Sequence, residues 1–439
     1  MPPSALTDTT RRIIRGVWVE VLMALIVEGY REFMEWWQTR AFLRPLRAND
    51  LDDAKSVADG HAEDVDRAAL VADTVGWILD KHARKHIGIA VGVLWQGEQW
   101  TFARGRLRAG EAAPVDADTI FEIGSVTKVF TAILLADMVE DGLVHVDDPV
   151  QRHLPDGVRM AVRSRPITLC DLATQTSGLP RLPPGLFRRS LRRRHDPYAS
   201  FSERDLLNAV AETRLNSPPG ERSRYSNFGF GLLGYVLARR SGMSYEELVR
   251  HRICTPLDLA DTGIEVADDA HERFADGHNR RARSVPHWHL GALAGAGGLR
   301  STVNDLLRFL GLQLAALASP LARAARATHR SRATRGRLQQ GLGWVSLPLR
   351  GDTRRMLWHN GGTGGFRSFL GFVPDTHVGV VVLSNSSRSV DAIGFRLLES
   401  ISREPQPATA EPDVEPVPGR QTSARQERAT VTADDPTRK

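Results

Sequence analysis

Phe121-Glu122-Ile123-Gly124-Ser125-Val126-Thr127-Lys128 decides the reading of this chain, because a glycine break is followed at once by apolar residues at helical spacing. Val126, Val129, Phe130, Ile133 and Leu134 recur every three or four positions, so a helix is expected to begin at Ser125. A serine in a first turn feels the positive end of the helix. Lys128, one turn further on, lies on the same face within reach of the hydroxyl. The lysine is itself unusual: only Lys55, Lys81, Lys85, Lys128 and Lys439 are lysine among 58 Lys and Arg residues, so the chain uses arginine wherever a fixed charge suffices. Arginine cannot give up its proton in a protein, whereas a buried lysine can. Service as a base near neutrality means moving the amine from about 10.4 towards about 7, roughly 4 kcal/mol of differential stabilisation. A capping serine followed by a surface lysine has the same spacing, and this segment does not decide between the two.

Two later segments bear on the choice. Pro218-Pro219-Gly220 leads into Arg224-Tyr225-Ser226-Asn227-Phe228-Gly229, a turn running into a helix, and Tyr225 is one of five tyrosines. A phenol near cations can relay a proton, and an asparagine amide can hold both an amine and a substrate. Asn227 as a helix cap and Tyr225 as a core residue is the competing account. The other segment, Trp358-His359-Asn360-Gly361-Gly362-Thr363-Gly364-Gly365-Phe366, is glycine-rich but is followed by a strand pattern, and it lacks the lysine of a nucleotide loop. Its glycines suit the close approach of a substrate backbone, with the Gly362 amide pointing at a carbonyl oxygen. His359 is a candidate for electrostatic or proton-relay help.

The element order supports a two-lobed molecule. A helix around 64–84 precedes strands at 87–94 and 99–105. Helical patterns then dominate near 168–175, 204–213, 228–240, 245–253 and 303–316. Strand patterns return only near Met356, Phe366 and Val378, before a last helix over 389–401. Early and late strands are expected to share one antiparallel sheet flanked by the terminal helices. The helical middle forms a lobe of its own, with the site in the cleft between them. The fold class is therefore α+β.

Ser-x-x-Lys, Tyr-x-Asn and a basic-x-Gly on a late strand, in this order, resemble the serine β-lactamase and D-alanyl-D-alanine peptidase family. The likeness is to its class C-like branch, which also contains esterases. It covers roughly 64–402 and includes Ile167-Thr-Leu-Cys-Asp-Leu-Ala-Thr-Gln-Thr-Ser-Gly-Leu-Pro180 and Gly295-Ala-Gly-Gly-Leu-Arg-Ser-Thr302. The resemblance implies acylation of Ser125, proton transfer shared by Lys128 and Tyr225, orientation by Asn227, and an oxyanion hole from the amides of Ser125 and Gly362. Gly361 and Thr363 are expected to bind substrate. No metal and no cofactor is implied. The family's Lys-Thr-Gly is His359-Asn360-Gly361 in this chain, so a permanent cation is replaced by a group charged only part of the time. That weakens the case for β-lactams as the substrate and favours esters or amides that lack the carboxylate of a β-lactam or peptide. A carboxylesterase without β-lactamase activity, or a non-hydrolysing binding or sensing protein on the same fold, are the alternatives.

Composition bounds the rest. With 439 residues and 41% hydrophobic content the chain can bury a large core. A net charge of +6 and arginine runs at 188–194 and 323–337 attract anionic surfaces, but no aromatics interleave them, so nucleic acid is not the expected partner. Cys170 and Cys254 match no zinc spacing and form no disulfide framework; both read as small core residues. Arg11 to Leu43 reads as an amphipathic helix suited to peripheral membrane contact. Arg11-Arg12 is a weak export signal because Glu20 interrupts the apolar stretch that follows. The domain plan is thus a helix and linker over 1–63, a hydrolase domain over 64–403, and a disordered Pro/Glu/Ala/Thr/Arg-rich tail over 404–439. The resemblance favours the cell envelope as compartment.

Overall fold

The computed structural model describes residues 66–186, 196–316 and 318–403. The expected N-terminal helix, its linker, the 188–194 arginine run and the tail lie outside these residues. The strands are Gly88–Trp95 (β1), Glu98–Gly105 (β2), Phe121–Glu122 (β3), Gly277–His278 (β4), Ser284–Val285 (β5) and Arg300–Ser301 (β6). They continue with Ala333–Arg335 (β7), Leu338–Gln340 (β8), Val345–Pro348 (β9), Arg355–Gly362 (β10), Arg367–Val373 (β11) and Val378–Ser384 (β12). The principal helices are Arg67–His82 (α1), Thr127–Glu140 (α2), Leu169–Ala173 (α3), Glu203–Glu212 (α4), Asn227–Ser241 (α5), Tyr245–Val249 (α6), Val303–Leu314 (α7), Pro320–His329 (α8) and Asp391–Arg403 (α9).

Eight strands form one antiparallel sheet in the order β2-β1-β12-β11-β10-β9-β8-β7, so the early hairpin does join the late strands as the element order implied. Every residue of β1 and β12 is buried, because the sheet is covered on both faces. On one face Ile89, Val91 and Val93 meet Val71, Val75 and Ile78 of α1 and Leu397 and Ile401 of α9. On the other, Ala90, Leu94, Val381 and Leu383 pack with α2, α5 and α7. Each such aliphatic side chain contributes roughly 1.5–3 kcal/mol by leaving water. Helix α2 runs through the helical side, with Thr127 to Met138 buried without a break.

Three features depart from the sequence expectation. Helix α8 begins before the basic run at 323–337 and overlaps it; its buried face is a single leucine, Leu321, with the small residues Ala322, Ala324 and Ala325, which give little apolar pattern. Strands β7 to β9 are three or four residues long, too short for alternation to show. The pattern over 245–253 is helical throughout, but α6 passes at Arg250 into a wider turn over Arg250–Cys254. Both cysteines are unpaired; Cys254 is buried, whereas Cys170 is only half-buried.

His329 of α8 packs against the rings of Phe372, 5.0 Å away, and Trp344, 6.3 Å away, with Nε2 2.9 Å from Gln313 Oε1. Burial pulls its pKa down to about 3. His86 is lowered to about 4, by burial and then by the charges of Arg388 and His82. In the fold both are neutral near pH 5, while the unfolded chain binds the protons, so stability rises with pH in this range. Stability is therefore expected to fall as pH drops from about 6.5 towards 3, by ~1.4 kcal/mol per pKa unit for a fully buried group. Urea melts of the His329→Gln variant should show a shallower loss between pH 6.5 and 4 than the parent. Parallel slopes in the two proteins would remove His329 as a source.

Candidate active site

Ser125 lies in the 3-10 turn Gly124–Val126 that leads directly into α2. Its amide sits at a helix start, where no carbonyl of a preceding turn is available to it. Lys128 follows on the same face, and its side chain is 0% exposed. Its Nζ lies 2.9 Å from Ser125 Oγ, 2.9 Å from Asn227 Oδ1 and 2.5 Å from the carbonyl oxygen of Ala296. No carboxylate is among these partners. Burial accordingly pulls the amine well below the usual lysine range, and the charge of Arg181 pushes it the same way. Two of the three partners can only accept, so they take two N–H groups. The lone pair of a neutral amine is left to face the Ser125 hydroxyl.

Tyr225 donates its hydroxyl to Ser125 Oγ at 2.6 Å. Burial pushes the phenol up to about 12, outweighing the Ser125 hydrogen bond and the charge of Arg181, so it stays protonated. The loop carrying it is fixed from behind. Arg224 N–H donates to Gln175 O, Ser226 N–H to Gln175 Oε1, and Ser226 Oγ to Pro180 O, all at 2.7 Å. Ser226 Oγ, not Asn227, caps α5 by accepting the Gly229 N–H at 2.9 Å, which frees the Asn227 amide to hold Lys128. The capping account of Asn227 is thereby set aside.

Strand β10 changes neighbours along its length. Its pairing with β9 covers only Arg355 to Trp358, whereas its pairing with β11 extends to Gly362. Gly364 and Gly365 are the loop of the β10–β11 hairpin, closed by the Thr363 N–H donating to Phe366 O at 3.2 Å. Successive strand amides point to opposite edges, so the Gly362 N–H points away from β11, towards the edge that β9 leaves unpaired. Gly362 is exposed there. The nucleophile turn lies against this strand end: a Cβ at Gly124, whose φ is +49°, would stand 2.6 Å from Gly362 N. Ser125 and Gly362 are therefore brought to one place.

Three expectations on this strand need correction. His359 is buried, and desolvation followed by the nearby Lys128 lowers its pKa to about 3, so it is a neutral imidazole and not a part-time cation. Its Nδ1 lies 2.7 Å from the Asn360 carbonyl, to which it donates as the neutral tautomer, and its ring is 6.4 Å from that of Tyr225. Gly361 is buried, and its Cβ position lies 2.0 Å from Ile123 O; it is a spacer between strand and turn, not a substrate contact. Thr363 is 5% exposed and its carbonyl accepts from Arg367 Nη1 at 2.8 Å, so it belongs to the hairpin turn and not to an open binding face. Residues that sequence reasoning missed are Ala296, whose carbonyl holds Lys128, and Arg181, whose guanidinium carbon lies 5.1 Å from the Tyr225 ring centroid. Tyr198 and Trp288 were missed too; their ring centroids lie 5.3 Å apart with the planes tilted by 58°, and burial raises the Tyr198 phenol, with Asn227 and the charge of Arg181 working against it.

The family model described as Beta-lactamase matches residues 67–399. The chain belongs to the beta-lactamase family. It is a serine hydrolase of the serine β-lactamase and DD-peptidase group, with the α+β fold of class C members. This family member is 30% identical over 334 residues to a beta-lactamase of Escherichia coli K12, covering 68% of this chain and 84% of the relative. It is 29% identical over 335 residues to the D-alanyl-D-alanine-carboxypeptidase/endopeptidase AmpH of the same organism, covering 71% and 84%. Among solved structures, a class C beta-lactamase from Rhodobacter sphaeroides superposes with a TM-score of 0.65 at 27% identity, over 75% of this chain and 97% of that one. Among the described residues of this family member, no helix is long and apolar enough to cross a membrane, and no group of His, Cys, Asp and Glu could hold a metal ion.

Proposed function

We propose that this hydrolase opens an amide or ester by forming an acyl-enzyme at Ser125, the acyl donor being a β-lactam, a D-Ala-D-Ala peptide or a small ester. The observation that carries the reading is Lys128 Nζ, fully buried, without a carboxylate partner and 2.9 Å from Ser125 Oγ. Lys128 takes the Ser125 proton as Oγ attacks the carbonyl carbon. Tyr225, protonated at neutral pH, gives its proton to the nitrogen or oxygen that departs as its bond to the carbonyl carbon breaks, and recovers one from the water that later attacks the acyl group; Lys128 then returns its proton to Ser125 Oγ as the acyl bond to Oγ breaks. The amides of Ser125 and Gly362 bind the oxyanion, and Asn227 holds the Lys128 amine in line. Neither metal nor cofactor enters these steps. The names of the relatives support an amide substrate, and the neutral His359 favours a second reading as a carboxylesterase. The cell envelope is the compartment a peptidoglycan-type substrate requires.

Labelling with a fluorophosphonate and with a fluorescent penicillin, followed by mass spectrometry of the adduct, tests the nucleophile. Both labels are expected on Ser125, and the Ser125→Ala variant should take neither. Labelling by the fluorophosphonate alone would move the assignment to the esterase reading. An adduct on another serine, or none at all, would end it.

A further inference from the structure

The neutral His359 leaves the cleft without even the part-time cation expected on β10. Of the other positive groups nearby, Lys128 is buried against three partners, and Arg367 directs Nη1 to the Thr363 and Phe366 carbonyls, closing the hairpin. Arg181 differs from both. It is exposed, and none of the hydrogen bonds or ion pairs among the described residues engages its side chain. Its backbone is nevertheless fixed, because its carbonyl accepts the N–H groups of Asn227 at 2.9 Å and Phe228 at 3.2 Å. Its guanidinium carbon lies 5.1 Å from the centroid of the Tyr225 ring, the same ring whose centroid is 4.8 Å from Lys128 Nζ. A pinned backbone, a guanidinium resting on an aromatic face and no carboxylate partner among the described residues describe a cation held ready beside Tyr225.

We infer that Arg181 is the anion receptor of this site and receives a carboxylate carried by the acyl donor close to its scissile bond. The inference rests on the acyl-enzyme reading and narrows it to anionic acyl donors. A planar guanidinium accepts a carboxylate through two parallel N–H bonds, so the receptor fixes orientation as well as charge. β-Lactams and peptides ending in D-alanine carry such a group a few bonds from the reacting carbonyl, and a neutral ester does not. The cation enters from the α5 side of the cleft, so a β10 strand bearing histidine still leaves the site able to select anions. Arg181 has a second effect. Its charge depresses the Lys128 amine, whose other polar or titratable neighbours among the described residues are Ser125, Asn227, the Ala296 carbonyl, the Tyr225 phenol and the neutral His359.

The test compares esters that differ only in a carboxylate. One pair, 3-carboxyphenyl and phenyl phenylacetate, places it on the leaving group; the other, p-nitrophenyl hemisuccinate and p-nitrophenyl butyrate, places it on the acyl group. In the Arg181→Gln variant the ratio of kcat/KM for the charged over the neutral member should fall about 10- to 100-fold in at least one pair, the usual range for losing a charge-assisted bond. The pair that responds locates the carboxylate. Arg181→Lys should restore part of the ratio. High salt should lower the ratio in the parent but not in Arg181→Gln. The acid limb of kcat/KM should move to higher pH for charged and neutral esters alike, a shift that loss of packing alone does not produce. Ratios unchanged within threefold in both pairs would overturn the inference. A parent protein that takes no label at Ser125 would instead overturn the acyl-enzyme reading beneath it.

Discussion

Replacing Lys128 by arginine is expected to lower the rate of Ser125 acylation by about 10³-fold or more, near the upper part of the range for losing a general base. The substitution keeps a positive charge and removes the ability to shed it. It also places a larger cation in a space where the present amine already touches Ser125 Oγ, Asn227 Oδ1 and Ala296 O and meets no carboxylate. A buried charge with no counter-ion is costly, so this variant loses stability as well as activity. Lys128→Met separates the two effects. Methionine is uncharged and of similar length, so a cooperative thermal melt should survive while acylation still fails. Stopped-flow labelling with a chromogenic β-lactam or an activated ester reads the rate directly. Near-parental acylation by either variant would take the base role away from Lys128.

The second large effect is expected at Gly361, a residue that touches no reacting atom. An alanine Cβ there would stand 2.0 Å from Ile123 O and 2.3 Å from Ser368 Oγ, and these two atoms are themselves joined by a 2.7 Å hydrogen bond. Neither neighbour can yield cheaply, since one is backbone and the other is anchored to it. The strand and the nucleophile turn must separate, which loses about 1–3 kcal/mol of packing stability. The Gly362 amide moves with the strand, and one misplaced oxyanion donor lowers turnover by about 10²–10³-fold. Gly361→Ala should therefore melt earlier and acylate slowly, with a smaller change in KM than in kcat. A variant that melts earlier but acylates at the parental rate would show that the close approach serves stability alone.

What the sequence could reveal follows how local each feature is. Ser125 and Lys128 were readable because one helical turn joins them, and Tyr225 and Asn227 because a loop enters a helix at a fixed step. The long strands announced themselves through apolar runs. Arg181 stands immediately after the quoted Ile167-to-Pro180 stretch, yet nothing in its neighbours distinguishes it from the many other arginines. Only the fold sets it on Tyr225. The neutrality of His359 was equally hidden, because burial and the approach of Lys128 are properties of the assembled site. Ser226 and Asn227 are both good capping residues, and the choice between them depends on the Pro180 carbonyl far behind in the chain.

The early end of β9 has a consequence for how such a site can be closed or widened. Because pairing on that side of β10 stops at Trp358, the edge beside Gly362 stays without a strand partner for as far as the β8–β9 hairpin falls short of it. Lengthening the β8–β9 hairpin by one pleat would fill the gap with backbone and silence the enzyme with every polar group still in place. Trimming it would broaden the opening for bulkier acyl donors, which makes loop length a means of altering substrate range independently of the chemistry.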